Sequence, residues 1–400
     1  MAQTMTYFDA AMKERYNDRD FADLTYDNHP FLSMVNKNEN FVGDVYIQPL
    51  KFGNSHGGRS ATIATAISNK GYGRTAKFQI THVKDYGVGS IDNLVIETSK
   101  TNEGAFLPAL EFEMEAVTSA LGQSLSKGLF GNSGGAIGQI GSFNGTSITL
   151  KLKDDIYNFE LGMILQSSAT DGTSGAVNAG TATITAIDHD SGTLTASTAG
   201  IPGMADDDYI FMAGDFGSKM EGLAGWLPMT APTSGDSFFS LDRSVDTDKL
   251  AGLRIKSVDI SGLPIEEKLL YGATKVCKAG GTPDVIFVSY ENYRDLEISM
   301  QGRVVYQSLS FGQAFFSSIV IAGPKGNIKV VADSDCPADR AYCLTMKSWD
   351  LVSAGPAPHV LDRDGVFSRE ATSDGYEFRL AFYGNLACNA PGWNAVMDLS

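Results

Sequence analysis

Apolar residues recur at steps of three or four from about Leu107 to Lys127, at Leu107, Leu110, Met114, Val117, Leu121 and Leu125. This spacing predicts an amphipathic helix. Its ends carry matching chemistry: Pro108 belongs in a first turn, Glu111, Glu113 and Glu115 sit towards the positive end of the dipole, and Lys127-Gly128 marks a stop. At 1.5 Å per residue the rod is roughly 30 Å long, suited to a structural spine.

Upstream, the pattern shortens to a period of two. Thr62-Ile63-Ala64-Thr65-Ala66-Ile67 and Lys77-Phe78-Gln79-Ile80-Thr81-His82-Val83 alternate apolar with polar residues, as strands with one covered face do. Turn residues fill Ser68 to Gly73 and Asn54 to Gly58. The expectation is a long, thin hairpin arm within residues 41–100. Two strands with few local apolar neighbours are not stable alone in water, so the arm needs a packing partner on another subunit.

Beyond a glycine-rich exit (Gly131 to Gly141), short strands are predicted at Ser147–Leu152, Met163–Ser168, Thr181–Ile187, Thr193–Ser197 and Tyr209–Ala213, with Asp188 to Gly192 as a hairpin turn. Residues 141–216 thus read as a small inserted β-barrel or sandwich, and 217–244 as a linker. The remainder, 245–400, reads as α/β. A helix carries Ile265, Leu269, Leu270, Ala273 and Val276, a buried strand follows at Asp284–Val288, and a second helix starts near Ser289. Further strands are expected at Ile319–Ala322, Ile328–Val331, Tyr342–Met346 and Glu377–Phe382. No repeat of solenoid length is visible.

Charge sharpens this division. Val45 to Lys84 holds six basic residues (Lys51, Arg59, Lys70, Arg74, Lys77, Lys84) and no Asp or Glu, in a chain whose formal net charge is -16. Asp154 to Asp215 is the converse, with ten acidic residues and no Lys or Arg. The first segment calls for an acidic partner surface, and the second for a solvated acidic face. So acidic a chain is a poor general binder of nucleic acid, which needs clustered Lys and Arg.

At 400 residues and 43% apolar composition the chain has enough material for two or three compact units. No apolar run approaches the roughly 18 residues that span a bilayer, and charges at Asp9, Lys13, Glu14 and Arg15 interrupt any export signal. The expected protein has no membrane segment and stays where it is made. Four cysteines (Cys277, Cys336, Cys343, Cys388) without a C-x-x-C pair point to buried, reduced thiols.

Motifs with chemical associations fare poorly against simpler readings. Gly131-Asn132-Ser133-Gly134-Gly135 satisfies G-x-S-x-G, yet it follows a helix, and no His is placed for a triad. A soluble serine hydrolase using Ser133 remains the alternative of a different class. Gly71 to Ala76 approximates a dinucleotide fingerprint with no helix after it and reads as a turn. Asp188, Asp190 and Gly192 lack the later Glu of a calcium loop, and Asp206-Asp207-Asp208 reads as a solvated acidic loop. The five histidines (His29, His56, His82, His189, His359) show no metal-ligand spacing. No catalytic residue, cofactor site or metal site is expected, and the chain is not expected to be an enzyme.

The order of N-terminal arm (1–40), basic hairpin (41–100), spine helix with glycine-rich exit (101–140), insertion, and α/β domain resembles the major capsid proteins of tailed double-stranded DNA bacteriophages. Local stretches that carry the likeness are Pro283 to Ser289 with Tyr293 and Leu296, Val330 to Asp333 through Pro337, Arg340 to Leu344 with Trp349, and Gly222 to Pro228. The resemblance implies an α+β, Hong Kong 97-type capsid fold with an inserted small β-barrel. It implies a hairpin that acts as the family's extended loop, a helix that is the peripheral-domain spine, and an axial α/β domain with returning peripheral strands. It further implies self-assembly as pentamers and hexamers into an icosahedral virion shell around double-stranded DNA, built in the bacterial host cytoplasm. The partners it implies are a separate scaffolding protein, a portal protein at one vertex and a decoration protein, with DNA enclosed without sequence-specific contacts. Encapsulin nanocompartment shells resemble the same fold and are the nearer alternative. In the family the extended loop lies over a neighbour's peripheral domain, which makes Lys51, Arg59, Lys70, Arg74 and Lys77 on the arm, and Glu111, Glu113 and Glu115 on the helix, the candidate intersubunit contacts.

Overall fold

A computed structural model describes residues 29–54, 58–93, 103–197, 201–300, 306–311, 314–362, 367–369 and 374–400, with backbone only at 103–112, 306–311 and 314–317. The chain folds as two compact units, one comprising residues up to Ser126 together with Trp226–Ser400, the other Lys127–Gly225. Most of the expected N-terminal arm, residues 1–28, lies outside the described residues.

In chain order the first unit begins with α1 (Pro30–Met34), β1 (Asn36–Asn38), β2 (Val45–Gly53), α2 (Ile63–Ser68), β3 (Arg74–Thr81), β4 (Val83–Asp92) and the long α3 (Glu103–Phe130). The second unit holds β5 (Ala136–Asn144), β6 (Ser147–Leu150), β7 (Ile164–Ser168), β8 (Ala182–Asp188), β9 (Thr193–Ala196) and β10 (Tyr209–Met212). There follow α4 (Leu223–Trp226), β11 (Ser237–Phe238), β12 (Leu241–Asp242), α5 (Thr247–Ala251), β13 (Leu253–Ile255), α6 (Ile265–Lys278), β14 (Val285–Val288) and α7 (Tyr290–Met300). The chain ends with β15 (Tyr306–Phe311), β16 (Ala314–Gly323), β17 (Gly326–Ala332), β18 (Arg340–Leu344), β19 (Trp349–Ser353), β20 (His359–Val360), β21 (Ser368–Arg369), β22 (Gly375–Cys388) and β23 (Ala395–Asp398).

Two sheets organise the first unit. A seven-stranded mixed sheet, β13-β23-β18-β14-β17-β16-β15, packs with α6 around a core that includes Ile255, Leu269, Val276, Ile286, Val288 and Val330. β14 reads as a continuous apolar run because all four of its residues are buried. The other sheet runs β1-β19-β22-β20, with β4 and β21 also paired to β22.

α3 covers this second sheet with Met114, Thr118, Leu121 and Leu125, all buried, while Glu113, Glu115 and Ala116 face solvent. The sheet admits the helix because Gly87 and Gly89 of β4 carry no side chain: a Cβ on Gly87 would lie 2.8 Å from Val117, and one on Gly89 would enter the Phe378 ring. Ser124 closes the contact by donating to the Asp85 carboxylate at 2.7 Å.

The helix starts earlier than its periodicity predicts. It begins at Glu103, so Pro108 lies inside it rather than in a first turn. The proline has no N–H to offer the Gly104 carbonyl, and the helix runs through the missing bond.

The second unit is a closed six-stranded barrel, β10-β5-β6-β9-β8-β7. Alternate residues Ile140, Ile148, Leu165, Ile184, Leu194 and Ile210 fill its interior. All five predicted strands are present, and β5 completes the ring from the glycine-rich exit. Gly138 lets the Phe159 ring sit against the strand, and Gly141 lies against the Lys151 backbone. The β8–β9 turn is held as predicted, with Asp188 accepting from the Asp190 amide at 3.0 Å and from the Ser191 hydroxyl at 2.6 Å. These bonds, led by that from Ser191, hold the Asp188 carboxyl below the usual range.

Candidate assembly surface

The arm is a hairpin, but not between the strands its alternation suggests. β2 pairs antiparallel with β3, from Val45↔Thr81 to Gly53↔Arg74, and the stretch Thr62 to Ile67 lies in the helical α2 instead of a strand. The alternating reading is overturned there because Ile63 and Ile67 are also i,i+4 neighbours, and the Thr62 hydroxyl caps the helix by accepting from the Thr65 amide at 3.4 Å. Part of the Asn54 to Gly58 turn, including His56, lies outside the described residues.

The base of the arm is gripped firmly. Phe78 is fully buried against Trp226, with ring centroids 4.9 Å apart, and also meets Phe238 at 6.2 Å. Trp226 donates its indole N–H to the Leu386 carbonyl at 3.0 Å, and the Arg243 guanidinium lies 3.8 Å over the Phe238 ring. The Gln79 amide donates to the Phe239 carbonyl at 3.0 Å. The β11–β12 turn that presents this carbonyl uses Phe239 at φ 46° and Ser240 at φ 63°. Both are left-handed conformations that cost non-glycine residues about 1–3 kcal/mol each. This grip lies in the stretch that the sequence presents as a linker, 217–244. The stretch is ordered because Trp226, Leu227 and Phe238 are buried apolar side chains in it.

The far end of the arm is bare. α2 has no buried residue, and Ile63, Ile67 and Tyr72 are 81%, 56% and 94% exposed. A six-residue helix with neither length nor packing is well below the size that is stable alone. The five arm cations Lys51, Arg59, Lys70, Arg74 and Lys77 are all exposed, and none forms an ion pair among the described residues. Glu113 and Glu115 are likewise exposed on α3, while the side chain of Glu111 lies outside the described set. Among the described residues, the arm cations and the Glu113 and Glu115 side chains all face solvent, and no ion pair joins them.

The remaining motifs resolve as architecture. The Gly131 to Gly135 segment is a close crossing of backbones: a Cβ on Gly134 would strike the Asp171 carbonyl, and one on Gly172 would strike the Gly134 carbonyl. The Ser133 amide donates to the Met220 carbonyl at 3.2 Å, and Asn132 donates to Asp171 at 2.7 Å. Asp206 accepts from the Phe143 amide, Asp207 pairs with Lys151, and Asp208 is buried against Asn178, so each acid of that run has its own local partner. Among the described residues no cluster of three or more His, Cys, Asp or Glu is arranged to hold a metal ion, and no helix is long and apolar enough to cross a membrane. Cys336, Cys343 and Cys388 are buried free thiols, and Cys277 is half-buried.

The family model for the SU10 major capsid protein matches residues 176–374. No curated protein matches. Among solved structures, the chain is similar to the capsid asymmetric unit of cyanophage A-1(L), with a TM-score of 0.53, 13% identity, and coverage of 93% of this chain and 92% of that one. A native GTA particle capsid (TM-score 0.47, 7% identity, 92% and 89% covered) and the SrpI encapsulin of Synechococcus elongatus PCC 7942 (TM-score 0.42, 8% identity, 92% and 87% covered) also match. The spine helix against a long-stranded sheet, the extended hairpin and the α/β domain make up the Hong Kong 97-type fold, and the match of residues 176–374 to a major capsid protein family marks the chain as a capsid shell protein.

Proposed function

We propose that this subunit assembles as pentamers and hexamers into an icosahedral shell enclosing double-stranded DNA, and that its hairpin arm clamps a neighbouring subunit. The bare end of the arm carries this reading. Ile63, Ile67 and Tyr72 expose apolar surface on an element that cannot hold its own shape, and a neighbour's surface supplies the missing packing. In the clamp, Lys51, Arg59, Lys70, Arg74 and Lys77 face Glu111, Glu113 and Glu115 of the adjacent spine helix. Each exposed pair contributes only about 0–1 kcal/mol, so the charges set register and the apolar residues supply adhesion.

The subunit works by assembly and not by catalysis. The glycines on either side of the motif's last step have a packing reason, since a Cβ on Gly134 would strike the Asp171 carbonyl and one on Gly135 the Asp215 carbonyl, which supports this view. A separate scaffolding protein directs closure in the host cytoplasm, a portal protein occupies one vertex, a decoration protein binds outside, and DNA is held without sequence-specific contacts, as suits a chain of net charge -16.

The test is negative-stain microscopy of the purified chain, alone and with scaffold. Closed shells, tubes or sheets are expected, with shell yield lost in the double variant Lys70→Glu/Arg74→Glu and partly restored by Glu113→Lys/Glu115→Lys. An unassembled monomer under every condition would overturn the assembly reading. Unchanged yield and salt tolerance in the charge-reversed variant would overturn the clamp alone. Esterase turnover that disappears in Ser133→Ala would overturn the non-enzymatic reading.

A further inference from the structure

The C-terminal end of α6 gathers lysines from three separate segments around an exposed tryptophan. Lys275 and Lys278 lie in its last turn, and both are exposed. The chain leaves the helix through Gly280 and Gly281, which pack against Trp393. A Cβ on Gly280 would lie 3.8 Å from the indole nitrogen, and one on Gly281 would lie 2.9 Å from the Trp393 carbonyl. Lys325, from the β16–β17 turn, donates to the Gly281 carbonyl at 2.9 Å. Lys347, from the turn after β18, lies 5.6 Å from the Trp393 ring centroid. Trp226 and Trp349 are fully buried, whereas Trp393 is 40% exposed, so of the three tryptophans it is the one that a ligand can touch.

Charge around this cluster is not balanced. Among the described residues none of Lys275, Lys278, Lys325 and Lys347 forms an ion pair. The acid within the group is Asp284, which accepts from the Met346 amide at 3.1 Å and feels both Lys347 and the half-buried Lys329. On the flank, beside Gly392, the acids Asp246 and Asp248 are already paired, with Lys249 at 3.2 Å and Arg254 at 2.7 Å. The cluster is therefore a cationic island in a chain of net charge -16. The negative end of α6 attracts Lys275 and Lys278, and Lys325 caps the Gly281 carbonyl, so each has a local use. Those uses engage neutral carbonyls and leave the charges without a counter-ion.

Resting on the reading of the subunit as part of a shell around double-stranded DNA, we propose that the lysine cluster around Trp393 is a contact point for the phosphate backbone of that DNA. The residue type favours phosphate over the carboxylates of a protein partner. Protein interfaces are enriched in Arg, whose planar fork fixes carboxylates, and depleted in Lys, a mobile point charge that meets phosphates in any register. Contact of this kind carries no sequence information. Confined to one patch of an acidic subunit, it holds the duplex locally while the remaining surface repels it, so enclosed DNA keeps its freedom to move.

Anisotropy of a labelled duplex of about 20 base pairs, titrated with the full-length protein at several salt concentrations, measures the contact. Neutralising three or four phosphates gives a slope of about -3 in log affinity against log salt. In Lys278→Gln/Lys325→Gln/Lys347→Gln, affinity at low salt should fall tenfold or more and the slope should shrink to about -1. Should that variant not fold, Lys275→Gln/Lys278→Gln decides, since it leaves the Lys325 cap in place and should reduce the slope by about 2. The arm variant Lys70→Glu/Arg74→Glu should bind as the wild type does. Duplex should also shield the protein from acrylamide quenching, an effect that disappears in Trp393→Phe. Polyglutamate of equal total charge should compete at least tenfold less well than unlabelled duplex. Unchanged affinity in a folded lysine variant, loss of binding in the arm variant, or equal competition by polyglutamate would overturn the proposal, the last by marking an acidic protein as the partner. Normal shells from a chain that fails these binding tests would strike the patch and spare the shell. Binding with this signature by a chain that never forms shells would do the reverse.

Discussion

Gly87 and Gly89 set how closely the spine helix meets its sheet. Substituting Gly89 by Ala places a methyl group within the Phe378 ring, and the ring has nowhere to go because Phe378 is itself 1% exposed. Overpacking of this kind costs about 1–3 kcal/mol. Gly89→Ala should lower the denaturant midpoint measurably, and Gly87→Ala, which meets only a Val117 methyl, should lower it less. Phe78 is the corresponding residue for the arm. Phe78→Ala removes the ring that seats β3 on Trp226, at about 3–5 kcal/mol by comparison with other buried Phe truncations. Its signature should be increased proteolysis of residues 45–81 ahead of global unfolding. The thiols offer a further check. Burial raises Cys343 beyond reach of ordinary titration and pushes Cys388 up to about 12. Cys336 is buried as well, so a native subunit at pH 8 should take up about one equivalent of a thiol reagent, at the half-buried Cys277. Four equivalents without denaturant would contradict this packing.

The legibility of the elements in the sequence follows their physics. Helices α6 and α7 and the strands β14, β16, β17, β18 and β22 each announce themselves by apolar periodicity or by a short buried run, and the structure has all of them. Barrel strands β6 to β10 are equally clear because their one-sided burial forces alternation. β5 was hidden, since Gly138 and Gly141 occupy positions where a side chain would obstruct Phe159 or the neighbouring strand, and glycine carries no hydrophobic signal. β11 and β12 were hidden for another reason: a Phe-Ser turn with both residues left-handed is not a pair that sequence statistics favour. The same limit applies to the assembly surface. The basic and acidic stretches are plain in the sequence, while the grip of Trp226, Phe238 and Arg243 on Phe78 joins residues too distant for any local pattern. At this scale the barrel has its own test. Gly225 donates its amide to the Gly131 carbonyl at 3.4 Å, so the unit starts and ends at one place. An isolated fragment of residues 131–225 should melt cooperatively by circular dichroism, and a fragment without a transition would show that the barrel depends on the rest of the chain.

Over the whole molecule, strand pairing ties together stretches that lie far apart in the sequence. β1 pairs in parallel with β19, and β4 lies against β22 from Lys84↔Tyr383 to Asp92↔Gly375. Closing loops of about 300 residues before any reward is slow, whereas every barrel pairing lies within one short stretch of chain. During synthesis, therefore, the barrel can close before β22 is made, but the spine helix has no finished sheet to lie on until β22 emerges. The nascent chain cannot offer a completed capsid surface before β22 has been made, which separates the start of folding from recruitment into a shell.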